Sequence, residues 1–225
     1  EQNTMTFSID QDLFDMMKAQ LYSAVLCDAL DQEGLHQQAM RADIRPVDPE
    51  TKVVGRALTM QSVDVYEPET TVYEHEIAAV DSLKPSDVMV ASTQQSTRTC
   101  LWGELLSTAA RARGANGAII DGYTRDVRQI KEMQFPVFST GIYPVDSAGR
   151  GMVIRYNTPC NCGGVVVHPG DIVFGDYDGI VVIPESAAEE VIAKAVAKVE
   201  GENITRDELR QGATLREVYD KYGVL

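Results

Sequence analysis

No run in the chain approaches the roughly eighteen apolar residues that a membrane-spanning helix needs, so insertion into a bilayer lacks support. No basic-then-apolar segment opens it either, so secretion is not expected and a cytoplasmic setting is. Basic residues are scarce: 20 Lys and Arg face 34 Asp and Glu, for a net charge of −14. That balance argues against binding phosphate backbones or anionic lipid, so neither nucleic acid nor membrane is expected as a partner. An anionic small molecule would have to be drawn in locally, by arginines and a metal. The four cysteines, Cys27, Cys100, Cys160 and Cys162, lack the spacing of a disulfide scaffold or a zinc ribbon. Cys160-Asn-Cys162 has no second Cys/His pair at ligand spacing, which leaves reduced thiols as the default. Low-complexity stretches and flexible linkers are missing as well.

What remains is an ordinary globular composition, 44% hydrophobic and 24% charged over 225 residues. One domain over 1–225 is expected, with a helical C-terminal extension from about 185. Residues 10–33 carry a helical apolar period that Gly34 stops, and Ser23 is placed to cap a second helix there. Asp28 on that helix reads as a structural or interface carboxylate. Val53 to Val63 reads as a long strand, with Gly55 marking close approach by another backbone. Glu69 to Leu83 is helical, with Val72, Ile77, Ala78, Val80 and Leu83 expected on the apolar side. Lys84-Pro-Ser-Asp87 and His168-Pro-Gly-Asp171 each set a turn before an apolar strand. Phe135 to Phe138 reads as a short strand and Gly141 to Pro144 as a turn. Residues 145–162 look polar and proline-broken, with Arg150 and Arg155 offering positive charge. Val165 to Val167, Asp171 to Phe174 and Gly179 to Ile183 read as strands at hairpin spacing, so the second half looks more antiparallel than the first. A helical face follows from Ala188 to Val199. Glu200-Gly-Glu202-Asn203 is expected to interrupt it, before a polar tail anchored by Leu209, Leu215, Val218 and Tyr222.

One stretch organises the rest. From Glu104 to Arg113 the pattern is an amphipathic helix with basic residues in its last turn and a stop at Gly114. Gly117 to Ile120 then reads as a buried parallel-type strand ending at Asp121-Gly122, which puts Arg125 and Asp126 just past a strand's carboxyl end. Open α/β sheets hold ligands there, because strand-end loops and free N–H groups at helix starts share one crevice. Arg125 suits a planar carboxylate or an enolate oxygen, and Asp126 and Glu104 suit a hard divalent cation, directly or through water. The bland alternative is that Arg125-Asp126 cap the following helix and that Glu104 answers the macrodipole.

Glu104, twenty intervening residues and Arg125-Asp126 match the D/E-x20-R-D signature of the family that contains 4-hydroxy-4-methyl-2-oxoglutarate aldolase and the RraA-like proteins. Val54-Gly-Arg-Ala-Leu-Thr59, Trp102-Gly-Glu-Leu105, Ile120-Asp-Gly-Tyr-Thr-Arg-Asp126 and Pro169 to Pro184 resemble the same family. The likeness spans about residues 20 to 220. Some members carry an acidic residue three positions after the aspartate, where this chain has Gln129. The resemblance implies an α/β fold, a swivelling β/β/α layered sandwich, assembled as a homotrimer or homohexamer. It implies a divalent-metal-dependent, class II type aldolase that releases pyruvate from 4-hydroxy-2-oxo (di)carboxylic acids and also decarboxylates oxaloacetate. By the same resemblance Mg2+ or Mn2+ is bound by Asp126, with Glu104 holding metal-bound water. Arg125 contacts the pyruvyl group, and the substrate carboxylate meets the helix start at Gly103, Leu105 and Leu106. Family members also use an acidic residue from a neighbouring subunit's C-terminal helix, which Glu202 matches best, with Glu200 as the alternative.

Two other functions compete. A regulator of ribonuclease E that binds protein without catalysis need not keep the acidic residue that stands here as Glu104. A methyltransferase, a name attached to some such sequences, would want a glycine-rich strand-turn-helix loop that the chain lacks. Lys52, Lys84 and Lys131 fall outside the motif, which disfavours a Schiff-base aldolase.

Overall fold

A computed structural model describes residues 10–67 and 73–223; Val72 and the start of the expected helix at Glu69 lie outside them. Two helices, α1 (Asp10–Gln20) and α2 (Ser23–Gln32), lead to the short strand β1 (Arg45–Pro46) and the long strand β2 (Val53–Asp64). Then come α3 (Glu74–Asp81), β3 (Asp87–Ser92), β4 (Cys100–Trp102), α4 (Glu104–Ala112), β5 (Gly117–Thr124), α5 (Val127–Glu132) and β6 (Val137–Ile142). The second half adds β7 (Gly151–Tyr156), β8 (Cys160–Cys162), β9 (Val165–Val167), β10 (Ile172–Gly175) and β11 (Ile180–Ile183). A 3-10 turn (Glu185–Ala187), α6 (Ala188–Arg210) and α7 (Leu215–Tyr222) close the described chain.

Nine of these strands form one sheet whose main path runs β1-β6-β5-β3-β2-β10-β11, with β4 pairing β5 and β7 pairing β2. Pairs β2·β3, β3·β5, β4·β5 and β5·β6 are parallel, while β10·β11, β10·β2 and β2·β7 are antiparallel. The parallel centre is apolar on both faces, as strands covered on both sides must be. Along β3, Val88 and Val90 pack toward one layer and Met89 and Ala91 toward the other. The β8·β9 hairpin covers the first face, with Cys160, Cys162, Val165 and Val167 in its core. Helices cover the second, α3 and α4 over one half and α1, α2 and α6 over the other. The result is the layered β/β/α sandwich.

Gly55 has the tight approach its position suggested: a Cβ there would lie 2.2 Å from the Ser86 carbonyl oxygen. Both Pro-x-Asp turns close alike, Asp87 accepting from the Lys84 N–H and Asp171 from the His168 N–H, each at 2.8 Å. Asp28 ties α2 to α6 through Lys198, 2.6 Å away.

Several local expectations are corrected. Ser23 does not cap α2 with its hydroxyl; Asp176 accepts its Oγ at 2.6 Å and its N–H at 2.8 Å, so a distant carboxylate serves the helix start. Helix α6 runs unbroken through Glu200 and Glu202, since one glycine costs a helix only about 1 kcal/mol and packing of Val191, Ile192 and Ala195 outweighs it. The tail, within the helical extension expected from about 185, holds α7, opened by a Thr214/Glu217 capping box. The strand expected at Phe135–Phe138 is shifted to β6, and its pairing with β5 carries it through Gly141, where a turn was expected. Residues 145–162 hold β7 and β8, and Arg150 is spent on the Asp146 and Ala148 carbonyls. Among the described residues no helix is long and apolar enough to cross a membrane.

Candidate active site

The two halves of the Glu104/Arg125-Asp126 motif meet because β4 and β5 lie side by side, Trp102 opposite Thr124. Three bonds lock the junction. Thr124 Oγ1 and the Arg125 N–H both donate to the Trp102 carbonyl, at 2.9 and 3.0 Å, and the buried Trp102 indole donates to Ser107 Oγ at 2.8 Å. Asp126 follows in the left-handed region, φ 57° and ψ 33°, a conformation aspartate tolerates better than most residues and one that collects at functional sites. That turn folds its carboxylate back onto α4, where Oδ2 accepts the Glu104 N–H at 3.1 Å. The capping alternative therefore holds in part, for the preceding helix rather than the following one. Gly103 makes this contact possible: a Cβ there would sit 2.6 Å from Asp126 Oδ2.

Helix α4 has no side-chain cap from Gly103, and the Ser107 N–H is taken by the Gly103 carbonyl. The N–H groups of Leu105 and Leu106 are left without a partner among the described residues, as the geometry of a helix start dictates. Both residues line a cavity of about 250 Å³ together with Gly103, Arg125, Asp126 and Trp102. Glu104 is not part of that wall; its carboxylate accepts from Thr108 Oγ1 at 2.7 Å.

Three groups in the wall escaped sequence reading: Tyr73 and Glu76 from α3 and its approach, and Asp146 from the loop before β7. Arg125 lies between two acids, Nε 3.7 Å from Asp126 Oδ2 and Nη2 3.3 Å from Asp146 Oδ1. Tyr73 OH donates to Asp146. Burial opposes the Asp146 charge, but hydrogen bonds from Tyr73 and the Ser147 and Ala148 N–H groups, with Arg125, hold this carboxyl below its usual range. The hydrogen bond to Asp146, with burial behind it, pushes the Tyr73 phenol up to about 12. Burial raises Glu76 from 4.5 to about 7, with the Asp146 charge adding and Arg125 opposing. The Cys100 thiol, also in the wall, is pushed by burial to about 12 and is inert as a nucleophile at neutral pH.

The signal for Glu76 was present. Positions 76, 79, 80 and 83 share a helical stripe, and the buried residues there are Glu76, Ala79, Val80 and Leu83. The expected apolar face was rotated: Ile77 is 56% exposed and, with Leu105 at 77%, rims the cavity mouth. Glu202 lies elsewhere on its own chain, accepting from Tyr22 OH and 3.7 Å from Arg206 Nη2, while Glu200 is exposed beside it.

A family model described as RraA-like, Aldolase/RraA, matches residues 23–182. The chain belongs to the RraA-like family. Its relatives carry names from both sides of that family. It is 34% identical over 175 residues to a Halalkalibacterium halodurans protein named "Putative 4-hydroxy-4-methyl-2-oxoglutarate aldolase", covering 77% of each chain. It is 30% identical over 200 residues to protein DlpA of Legionella pneumophila, covering 89% of this chain but 32% of DlpA, so it spans about a third of that relative. Among solved structures it resembles Streptomyces coelicolor RraAS2, described as an unusual member of the RNase ES inhibitor RraA family. The TM-score is 0.78 at 29% identity, over 88% of this chain and 98% of that one. The RraA-like fold is thus common to proteins named for lyase chemistry and for control of RNA processing.

Among the described residues of this RraA-like chain, no three His, Cys, Asp or Glu side chains cluster tightly enough to hold a metal by themselves. The donor set nonetheless suits a magnesium-like ion. Asp126 Oδ1 has no hydrogen-bond partner among the described residues, and such ions use one or two carboxylates and keep waters or substrate oxygens for the rest.

Proposed function

We propose that this protein is a divalent-metal-dependent lyase that releases pyruvate from 4-hydroxy-2-oxo acids and decarboxylates oxaloacetate. One observation carries the reading: one small cavity is lined by a guanidinium, a carboxylate and a helix start, and among the described residues Asp126 Oδ1 and the Leu105 and Leu106 N–H groups have no partner. Asp126 would hold Mg2+ or Mn2+ directly, with Glu104, and Glu202 of a neighbouring subunit, reaching it through water. Bound there, the ion supplies Lewis acidity to the 2-oxo acid. The Leu105 and Leu106 N–H groups receive the substrate carboxylate. Arg125, fixed between Asp126 and Asp146, lays positive charge where the enolate oxygen develops, and both reactions leave charge on that same oxygen. No lysine lines the cavity among the described residues, which supports a mechanism without an imine. The exposed Ile77 and Leu105 at the mouth support an assembly in which a second copy, in a trimer or hexamer, covers this rim.

Borohydride reduction in the presence of pyruvate tests the chemistry. No covalent adduct should form on the protein, and a stable mass increase would replace this mechanism with a lysine-based one. The likeness to RraAS2 favours a second reading, a regulator of a ribonuclease E type enzyme. A protein that inhibits such a nuclease yet releases no pyruvate from either substrate class would establish it.

A further inference from the structure

Three carboxyl groups wall the cavity beside Arg125, and their surroundings separate them. Asp126 is turned onto the start of α4, and Asp146 is clamped by Tyr73 and Arg125. Glu76 has neither kind of tie. The residue is only 7% exposed, its carboxyl has no hydrogen-bond partner among the described residues, and it opens on the cavity. The carboxyl is thus held mostly out of solvent but reaches the cavity, and a carboxyl of raised affinity for its proton that lines a cleft marks a functional candidate.

We infer that Glu76 is the proton carrier of the reaction, taking the proton from the substrate's 4-hydroxyl and delivering it to C3 of the pyruvate enolate. The inference rests on the lyase reading. As the Glu76 carboxylate takes the hydroxyl proton, the C4–O bond becomes a carbonyl and the C3–C4 bond breaks. Its electron pair forms the C2–C3 double bond, and the C2 oxygen carries the charge beside Arg125. The aldehyde or ketone departs. The Glu76 acid then gives its proton to C3, the C2 carbonyl reforms, and Glu76 is again a carboxylate. One proton has moved from oxygen to carbon, and no oxidant, reductant or further reactant is consumed. The 4-hydroxyl and C3 are both attached to C4, so a single carboxyl on that side serves both.

The neighbours are poor substitutes. A guanidinium does not lose its proton in proteins, the Tyr73 phenol is held near 12 as an acid, and Asp146 is held below its usual range. In the metal-free cavity burial raises Glu76 to about 7, which leaves it, of the groups in this wall, the one best matched to both accept and return a proton. Oxaloacetate has no 4-hydroxyl, so loss of its CO2 needs no base and Glu76 acts only in the later protonation of C3.

The test uses the Mg2+-loaded full chain and Glu76→Gln, with three readouts: cleavage of 4-hydroxy-2-oxoglutarate, CO2 release from oxaloacetate, and exchange of pyruvate methyl protons in D2O followed by NMR. Glu76→Gln should lose cleavage and methyl exchange by about 10²-fold or more, the range for a general acid–base group, while CO2 release falls far less. Cleavage and exchange within a few-fold of wild type would overturn the proposal and leave the lyase reading standing. Equal loss of all three activities would also overturn it, by assigning Glu76 a structural role. Wild-type protein that neither cleaves, decarboxylates nor exchanges would refute the lyase reading, and this inference with it. If Glu76→Gln does not fold, Glu76→Asp serves: its shorter reach should lower turnover with KM unchanged, and a change in KM alone would refute the proton-transfer role.

Discussion

Replacing Glu76 by glutamine should stabilise the metal-free protein, and only at high pH. In the folded chain its carboxyl titrates at about 7 instead of 4.5, first because burial penalises the charge and then because Asp146 repels it. Below about pH 4.5 the folded and unfolded chains both hold this proton and there is no penalty. As pH rises toward 7 the unfolded chain releases the proton while the folded chain keeps it, so stability falls; above 7 both are ionised and the full penalty applies. The gap between 4.5 and about 7 corresponds to roughly 3 kcal/mol. Glutamine has nearly the same shape and no charge, so Glu76→Gln should exceed wild type by less than about 1 kcal/mol near pH 5 and by roughly 3 kcal/mol at pH 8. For a chain of this size that is a rise in Tm on the order of 5–10 °C. Thermal unfolding in chelator at the two pH values, with the difference between variants compared, reads it directly. A difference that does not grow from pH 5 to pH 8 would refute the burial argument. A difference that grows as expected makes the variant a more stable but proton-transfer-deficient protein, the trade that active sites commonly show.

Arg125→Lys should lower turnover by about 10²-fold or more, because an ammonium cannot lie between Asp126 and Asp146 and still present a planar face to substrate; near-native kcat with a raised KM would reduce Arg125 to a steering charge. Gly103→Ala should push the Asp126 carboxylate off the Glu104 N–H, costing about 1 kcal/mol of capping and, with the displaced carboxylate, at least tenfold in kcat/KM. Unfolding and kinetics measured on the same preparation check both. Asp126→Ala and Glu202→Ala chains, inactive alone, should recover about a quarter of their sites when mixed in one oligomer, since each interface draws its two sides independently. Mixed oligomers no better than the single variants would confine Glu202 to its own chain, where Tyr22 and Arg206 already hold it.

Much of this arrangement was legible from local chemistry. Gly55 in an apolar run announced a close backbone, the two Pro-x-Asp turns announced β3 and β10, and the glycine at 114 ended α4. A helix start and a strand end falling in adjacent units brought the Glu104 N–H to Asp126, while the Glu104 carboxylate turned to Thr108. Failures occurred where distant partners decide. Asp176, not Ser23, serves the start of α2 from more than 150 residues away. Strand β7 exists because β2 is long enough to pair it at Met60–Asp64, beyond the stretch Val53–Arg56 that pairs β10, which no pattern within 145–162 could signal. Asp146 joined the site through a loop, and Glu76 joined it because α3 buries the face that carries Glu76, Ala79 and Val80.

The central claim is that Asp126 and Arg125 serve metal-dependent release of pyruvate. The most direct measurement is pyruvate formation from a 4-hydroxy-2-oxo acid and from oxaloacetate, by wild type and Asp126→Ala, in chelator and after Mg2+ or Mn2+ is restored. The account predicts that chelator abolishes both activities, that either ion restores them in wild type, and that Asp126→Ala stays inactive with ion present. Undiminished pyruvate release by metal-free wild type, or by Asp126→Ala, would contradict it.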